Sequence, residues 1–252
     1  MVLLRIEPGT SESQCRPAMA AATTTQAPAE LSWVDERQRQ RLNEMLIVVD
    51  RDNRVLGADT KRNCHLNENI DRGLLHRAFS VVLFNTDNRF LIQQRADTKV
   101  TFPGYFSESC SSHPLNIPEE LEEKDALGAR RAAVRRMKAE LGIPPEQISP
   151  EDVMFMTTFH HKARFDSVWG EHEICHLLLV RKNVSIQPDI NEVKSFRYVS
   201  REELEELLQQ GEHGEVKVAP WLRTITQLFL SQWWPHLDQL DRFVEPHKIH
   251  RV

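Results

Sequence analysis

Three histidines and two glutamates in this 252-residue sequence have side chains that could bind a divalent metal ion together. His65 and His76 flank the segment LNENIDRGLL, His113 follows the turn-rich stretch TFPGYFSESCSS, and Glu171 and Glu173 form the E-x-E of WGEHEI. Alternate residues of a strand share a face, so the two carboxylates point the same way and favour a cation between them. Imidazole together with carboxylate suits zinc, manganese or magnesium. From spacing alone, scattered surface histidines and a solvated E-H-E are the alternative.

The stretch before His113 also contains a serine, Ser111, whose ability to move a proton decides what such a site can do. An aliphatic alcohol is a far weaker acid than a thiol, and serine usually needs a neighbouring base to become reactive. A Ser111–His113 nucleophilic pair is therefore an alternative to metal binding by His113. Cys110 is adjacent, but neighbours in an extended backbone point to opposite faces, so its thiol is expected to face away from the site.

Basic side chains near the strand ends and on a central helix could meet a phosphate group, because Lys and Arg are the usual phosphate ligands. These residues are Lys61, Arg95, Lys99, Arg135 and Arg136. Glu140, within RRMKAELGI, lies near the C-terminal end of the same helix. The residue types alone leave open a solvated surface position for each cation, and for Glu140 a pairing with a basic residue one turn earlier.

Composition limits the class of protein. Hydrophobic residues make up 40% of the chain, which is enough to build a full core. No apolar run approaches the roughly 18 residues that a membrane span requires. The net charge of -5 argues against a general nucleic-acid binder, since such domains carry a basic excess. The four cysteines, at positions 15, 64, 110 and 175, form no CxxC pair and are expected to be free thiols.

The order of the elements predicts an α/β (α+β) single domain with a central mixed sheet flanked by helices. Strand-like runs come as EMLIVVD with RVLGADT and as RAFSVVLFNT with RFLIQQR, and later as DVMFMTTFHHKA, EICHLLLVRK and SFRYV. Between the two groups lies a helical segment from about Glu119 to Leu141, closed by Gly142. An S-x-x-E capping box begins a further helix at Ser200, and a last helix begins near Pro220.

Two regions of different composition divide the chain. Residues 1–30 are rich in Ala, Thr, Ser, Pro and Glu, and they are expected to be a disordered extension. Residues 31–252 are expected to form the folded domain, with its core at about 75–200 and C-terminal helices at 200–240. The opening MVLLR is too short an apolar run for a signal peptide.

Several separated motifs resemble type I isopentenyl-diphosphate delta-isomerases, which are members of the Nudix superfamily. The motifs are ADTKRNCHLNEN, GLLHRAFSVVLFN, QQRADTKVTFPGYF, SSHP, RRMKAELGI and WGEHEI. They occur in the family's order, and the resemblance covers nearly everything from about residue 31 onward. It implies a Nudix-like fold and the interconversion of isopentenyl diphosphate and dimethylallyl diphosphate in isoprenoid and sterol biosynthesis.

The resemblance also assigns roles to individual residues. One divalent ion, Mg²⁺, Mn²⁺ or Zn²⁺, would be held by His65, His76, His113, Glu171 and Glu173. Glu140 would help to hold a second ion, a Mg²⁺ that bridges the substrate diphosphate. Substrate contacts fall on Lys61, Arg95, Lys99, Ser112, Arg136 and Trp221. The indole of Trp221 would face the hydrocarbon and stabilise a tertiary carbocation by about 0.5–2 kcal/mol, while the family's acid–base pair falls on Ser111 and Glu173.

Four positions depart from the family pattern. Ser111 stands where the family has a cysteine, which implies a rate loss on the order of 10² to 10⁴ unless another group compensates. His161 stands where a tyrosine is usual, and an imidazole could donate the missing hydrogen bond. Arg136 and Ala139 stand where Nudix hydrolases have glutamate, which favours an isomerase. A metal- and prenyl-diphosphate-binding paralogue with impaired catalysis is the second hypothesis, and a Nudix diphosphatase is the third.

The closing tripeptide, His250, Arg251 and Val252, resembles a peroxisomal address of the S-K-L type. It predicts a peroxisomal location, with the cytosol as the alternative. We expect a monomer with no nucleic-acid or membrane partner.

Overall fold

The computed structural model describes residues 35–252. Its strands are β1 (Met45–Val49), β2 (Val55–Thr60), β3 (His76–Phe84), β4 (Phe90–Arg95), β5 (Phe106–Ser107), β6 (Cys110–Ser112), β7 (Met154–Arg164), β8 (Gly170–Arg181), β9 (Val193–Val199) and β10 (Ile249–Arg251). Its α-helices are α1 (Glu36–Arg41), α2 (Lys61–His65), α3 (Asn67–Asp71), α4 (Leu127–Leu141), α5 (Arg201–Glu212), α6 (Pro220–Ile225) and α7 (Ser231–Trp233). Within these residues, no helix has the length and apolar character to cross a membrane.

The strands of the described residues form one mixed sheet, in the order β10-β7-β8-β3-β1-β2 with the remaining strands attached beside β3 and β4. The central strand, β3, is buried along its whole length, as expected for an almost uninterrupted apolar run. One edge of β3 pairs in parallel with β8, and the other pairs antiparallel with β6. Both predicted strand pairs near the start of the domain also form, β1 with β2 and β3 with β4. The predicted α/β fold with a mixed sheet is confirmed.

Side chains of β3 alternate between two hydrophobic clusters on opposite faces of the sheet, as the twofold periodicity of a strand requires. Phe79, Val81 and Leu83 pack in a cluster that includes the apolar face of α4. Val82 and Phe84 pack in a second cluster, which includes α5 and α6. The sheet therefore lies between one long helix and the C-terminal helices.

The helix predicted from about Glu119 begins later, at Leu127, so that boundary was wrong. Asp125 and Ala126 just before it have left-handed backbone angles, with φ of 51° and 52°. A Cβ atom on Gly128 would lie 2.2 Å from the carbonyl oxygen of Glu120. The acidic segment therefore folds back across the start of α4, and only a glycine permits this approach. The predicted end is confirmed, with Gly142 in the left-handed conformation after Leu141.

The remaining predicted boundaries lie close to the observed ones, while α1, α2, α3, β5 and β6 were not predicted and a further addition lies among the last described residues. Ser200 and Glu203 form the predicted capping box of α5, and Pro220 is the first residue of α6. The addition is β10, which pairs in parallel with β7 so that Arg251 lies beside His160. The tripeptide predicted as a targeting signal is thus held in the sheet. The prediction for residues 1–30 lies outside the described residues.

Candidate active site

The residues predicted to hold a metal ion lie together at one end of β3 and β8. One potential ligand atom from each of the five lies within 4.8 Å of the others: His65, His76, His113, Glu171 and Glu173. The parallel register of β3 and β8 places His76 beside Glu173. Alternation along β8 places both glutamates on one face, and α2, whose first turn is capped by Thr60, ends at His65. Backbone pairing thus brings together residues that are nearly 100 positions apart.

The chemistry of this donor set fits a divalent cation. Burial lowers the pKa of His113 to about 3 and also lowers that of His76, so both rings are neutral at pH 7 and have a free lone pair. Burial opposes ionisation of Glu173, but hydrogen bonds from neighbouring imidazoles, that of His113 first, hold its pKa well below the usual range. Oε2 of Glu171 is buried and lies 2.9 Å from Nε2 of His65; burial opposes ionisation of Glu171, but that imidazole helps to hold its pKa below the usual value. Neutral imidazoles and ionised carboxylates are what a metal ligand set provides.

A cavity that is partly open to solvent adjoins the cluster. It is lined by all the predicted substrate-contact residues: Lys61, Arg95, Lys99, Ser112, Arg136 and Trp221. Ser111, Glu140 and Glu173 line it as well. The structure therefore brings the predicted catalytic, substrate and metal residues to one place.

Around Glu140 the cavity is strongly basic. Nη2 of Arg136 donates to Oε1 of Glu140 at 2.6 Å, and Nζ of Lys99 lies 3.6 Å from its Oε2. Burial opposes ionisation here too, but Lys99 and Arg136 lower the pKa of Glu140 to about 2. Lys61 and Arg95 add two further positive side chains to the lining. Basic groups outnumber acids in this part of the cavity, which suits a polyanion such as a diphosphate.

A buried acid that the sequence did not reveal, Glu192, forms ion pairs with basic side chains of this region. It is 1% exposed, it contacts Lys99 and Arg41, and its Oε2 lies 3.6 Å from Nη2 of Arg136. A single glutamate after β8 carries no motif in the sequence. Its role depends on tertiary contacts with residues nearly 100 positions away.

A second acid missed by the sequence analysis, Glu108, lies beside the predicted hydrocarbon wall. It is fully buried, and it accepts hydrogen bonds from Oγ of Ser80 at 2.6 Å, Oγ of Ser107 at 2.5 Å and Nε1 of Trp221 at 2.7 Å. The only signal in the sequence is its place in the loop that leads to Ser111. The contact with Trp221 joins two residues that are 113 positions apart.

Ser111 lies on β6 opposite Ser80 of β3, and its Oγ is buried without a hydrogen-bond partner in the described part of the chain. Cys110 lies on the other face, fully buried in the cluster that includes α4. Burial raises the pKa of the Cys110 thiol well above its usual range. The thiol points away from the cavity, as predicted. Cys64 and Cys175 are likewise buried and free.

His161 is positioned by the pairing of β7 with β8, which places it opposite Glu173. Its Nε2 lies 2.9 Å from Oε2 of Glu173, and its ring stacks on Phe159 with 5.3 Å between centroids. Burial opposes protonation of the ring, but the hydrogen bond to Glu173 raises the pKa of His161 above its usual value. The imidazole is placed to donate to Glu173, as expected of a replacement for a phenol. No Ser111–His113 hydrogen bond forms within the described residues: Oγ of Ser111 and Nδ1 of His113 are both buried without a partner, and Nε2 of His113 contacts Oε1 of Glu173 at 2.9 Å.

Comparison with known proteins agrees with the motifs. Residues 74–222 match the NUDIX domain family. The chain is 72% identical over 222 residues to isopentenyl-diphosphate delta-isomerase 2 of Homo sapiens, which covers 88% of this chain and 98% of that protein. It is 59% identical over 219 residues to isopentenyl-diphosphate Delta-isomerase 1 of Bos taurus, covering 87% and 96%. It is 43% identical over 238 residues to the Dictyostelium discoideum isopentenyl-diphosphate Delta-isomerase, covering 92% and 100%.

Proposed function

The chain belongs to the isopentenyl-diphosphate delta-isomerase family and has a NUDIX domain, and on this premise we propose that it interconverts isopentenyl and dimethylallyl diphosphate. One observation supports the proposal most directly. A single cavity joins a basic region, an indole wall, a buried hydroxyl and an ionised carboxylate. These are the groups needed to hold a diphosphate and to move protons on an apolar chain.

The basic part of the cavity would bind the diphosphate. Lys61, Lys99, Arg95 and Arg136 supply the positive charge, and Ser112 adds a hydroxyl. The hydrocarbon would then lie along Trp221, whose side chain lines the same cavity. An aromatic face next to the reacting carbons stabilises a positive charge that forms there.

Moving the double bond requires one proton to be added and another to be removed. Ser111 occupies the position of the donor, and its addition of a proton to the terminal carbon would create a tertiary carbocation. Glu173 would accept the proton that leaves the neighbouring carbon. The two residues lie on strands that pair with opposite edges of β3. Because an alcohol is a poor acid, we propose that the reaction is slow.

We propose that the cluster of three histidines and two glutamates holds Mg²⁺, Mn²⁺ or Zn²⁺, and that Glu140 helps to hold a Mg²⁺ on the diphosphate. Bound cations of this kind neutralise carboxylate and phosphate charge. The neutral imidazoles and the approach of all five ligand atoms to within 4.8 Å of one another support the first site. Glu140, ionised between Lys99 and Arg136, supports the second.

A second candidate is a binding protein with impaired catalysis. It is favoured by the absence of a base or any other hydrogen-bond partner at Oγ of Ser111 among residues 35–252. A Nudix diphosphatase is the third candidate, and the replacement of helix glutamates by Arg136 and Ala139 disfavours it.

Incubation with isopentenyl diphosphate in heavy water tests the proposal, because isomerisation incorporates deuterium into the substrate carbons. We expect uptake by the wild type and background uptake by Glu173→Gln, with exposed Glu205→Gln as the matched control. Uptake at background level in the wild type would exclude the isomerase and leave the binding protein. Release of inorganic phosphate or diphosphate would instead identify a hydrolase.

We also propose a peroxisomal location and a monomeric state. The closing residues have the pattern of a C-terminal address, and half-exposed Val252 follows β10. Because the backbone of Arg251 pairs with β7, a receptor would have to detach this strand. An N-terminal fluorescent fusion should co-localise with peroxisomes and become cytosolic when Val252 is deleted. Sedimentation should give a mass near 29.3 kDa.

A further inference from the structure

The indole of Trp221 is fixed by contacts on its edge and beside its faces. Its N–H donates to Oε2 of Glu108 at 2.7 Å and to Oγ of Ser107 at 3.0 Å. The ring of Phe102 packs edge-on at 5.0 Å between centroids, and the guanidinium of Arg95 lies 5.7 Å from the indole centroid. The direction of the indole plane is therefore set largely by the two hydrogen bonds to its nitrogen.

Glu108 is an unusual partner for an indole because its carboxylate forms no salt bridge with the described residues. Its three hydrogen-bond donors are neutral: the hydroxyls of Ser80 and Ser107 and the indole N–H. No Lys, Arg or His of the described chain forms an ion pair with it, although its side chain is fully buried. A buried carboxylate without a cation is costly. That cost falls if a positive charge forms nearby during the reaction.

We propose that Glu108 is a positioning residue for the isomerisation. It holds the indole of Trp221 against the hydrocarbon and places a negative charge at the N–H edge of the ring. This inference rests on the proposed function, because the positive charge it serves is the carbocation of that reaction. Glu108 itself touches no reacting atom.

The effect of Glu108 is specific to the charged state of the substrate. A hydrogen bond to an anion polarises the indole, which makes its face more negative. In a dry site this charge acts through a low effective dielectric. The neutral alkene gains little from it, while the carbocation gains much, and a group that favours only the transition state raises kcat and leaves KM unchanged.

Glu108→Gln tests the charge, because the amide keeps an oxygen that can accept the indole N–H bond. We expect kcat to fall about 10-fold with KM unchanged. The more direct readout is the affinity for two synthetic diphosphates, one with a tertiary ammonium in place of the cationic carbon and one neutral isostere. The Kd of the ammonium compound should rise about 10-fold, and that of the neutral compound should stay the same.

The matched control is Glu120→Gln, which alters another buried acid that lies outside the cavity and pairs with Arg135. It should leave the ratio of the two affinities unchanged. If Glu108→Gln does not fold, Glu108→Asp gives a second measurement. The shorter side chain keeps the charge but lengthens its contact with Trp221, so the preference for the ammonium compound should fall about 3-fold.

Equal loss of both affinities in Glu108→Gln, or an unchanged preference in both variants of Glu108, would overturn the inference. An inactive wild type would refute the proposed function instead. In that case the two synthetic diphosphates still report whether charge at Glu108 acts through the indole. The two failures are therefore distinguishable.

Discussion

Replacement of Ser111 by cysteine is the most informative change at the proposed acid position. The Oγ of Ser111 lines the cavity and has no hydrogen-bond partner in the described residues, so no neighbour activates it. A thiol has an unperturbed pKa of about 8.5 and gives up a proton far more readily than an alcohol. Because Ser111 lines the cavity, the larger sulfur extends toward the cavity and not into the packed core.

The expected gain follows from the size of general acid catalysis. A positioned proton donor contributes about 10² to 10⁴ in rate, and a thousandfold gain corresponds to about 4 kcal/mol of barrier. The substrate contacts of Lys99, Arg136 and Trp221 are unchanged by the substitution. We therefore expect Ser111→Cys to raise kcat by a factor on the order of 10² to 10³ with little change in KM.

Deuterium uptake from heavy water measures this gain directly. Cys110→Ser is the matched control, since its thiol lies in the cluster with α4 on the opposite face, and we expect an unchanged rate. The double variant Ser111→Cys with Glu173→Gln should fall back to background. A rate for Ser111→Cys within threefold of wild type, in a folded protein, would refute the assignment of position 111 as the acid.

Three further predictions concern the metal, the diphosphate and pH. Glu171→Gln removes one carboxylate from the cluster, so the affinity for Mn²⁺ measured by calorimetry should fall about 10- to 100-fold; unchanged affinity would argue against the site. Lys61→Met should raise the Kd of inorganic diphosphate about 10-fold, whereas Lys162→Met, at an exposed position, should leave it unchanged. Equal effects of the two substitutions would contradict a specific contact between Lys61 and the diphosphate. Burial, together with Arg77, lowers the pKa of His176 to about 3, so an unfolded chain whose imidazole titrates near 6.5 binds the extra proton between these values. The free energy of unfolding should therefore decrease as pH falls through this window, by up to about 1.4 kcal/mol per pH unit for this group. His176→Gln should reduce this dependence of the unfolding free energy on pH, measured by urea titration at several pH values. An identical dependence in the variant would show that His176 is not its source.

The sequence predicted most of the longer strands because strand formation follows local patterns, and the structure brings the candidate site residues together. Apolar runs of strand length gave β3 and β8, and the pairing of these strands then brought His76 next to Glu173. The motif order supplied the rest of the cavity. The start of α5 at the Ser200 capping box and the end of α4 before the left-handed Gly142 were predictable because each depends on only a few neighbouring residues.

The features that escaped prediction depend on contacts between distant segments. The acidic stretch before α4 has a helical composition, but packing of Gly128 against Glu120 ends that pattern. Glu108 and Glu192 are single acids whose most distant partners, Trp221 and Arg41, lie 113 and 151 positions away. The strand β10 is only three residues long, so its pairing with β7 left no periodicity to read.

The burial of the native thiols gives a consequence for chemical labelling. Cys64, Cys110 and Cys175 are at most 1% exposed, and burial raises the pKa of Cys64 to about 12. Alkylating reagents attack thiolates, so these three side chains should be inert in the folded protein. Residue 111 is only partly buried and lines the cavity, so a thiol introduced by Ser111→Cys should be more reactive than these three. Iodoacetamide labelling of that variant would measure the fraction of molecules whose cavity is accessible. Protection from labelling by a diphosphate would measure how much of the cavity is occupied, without requiring turnover.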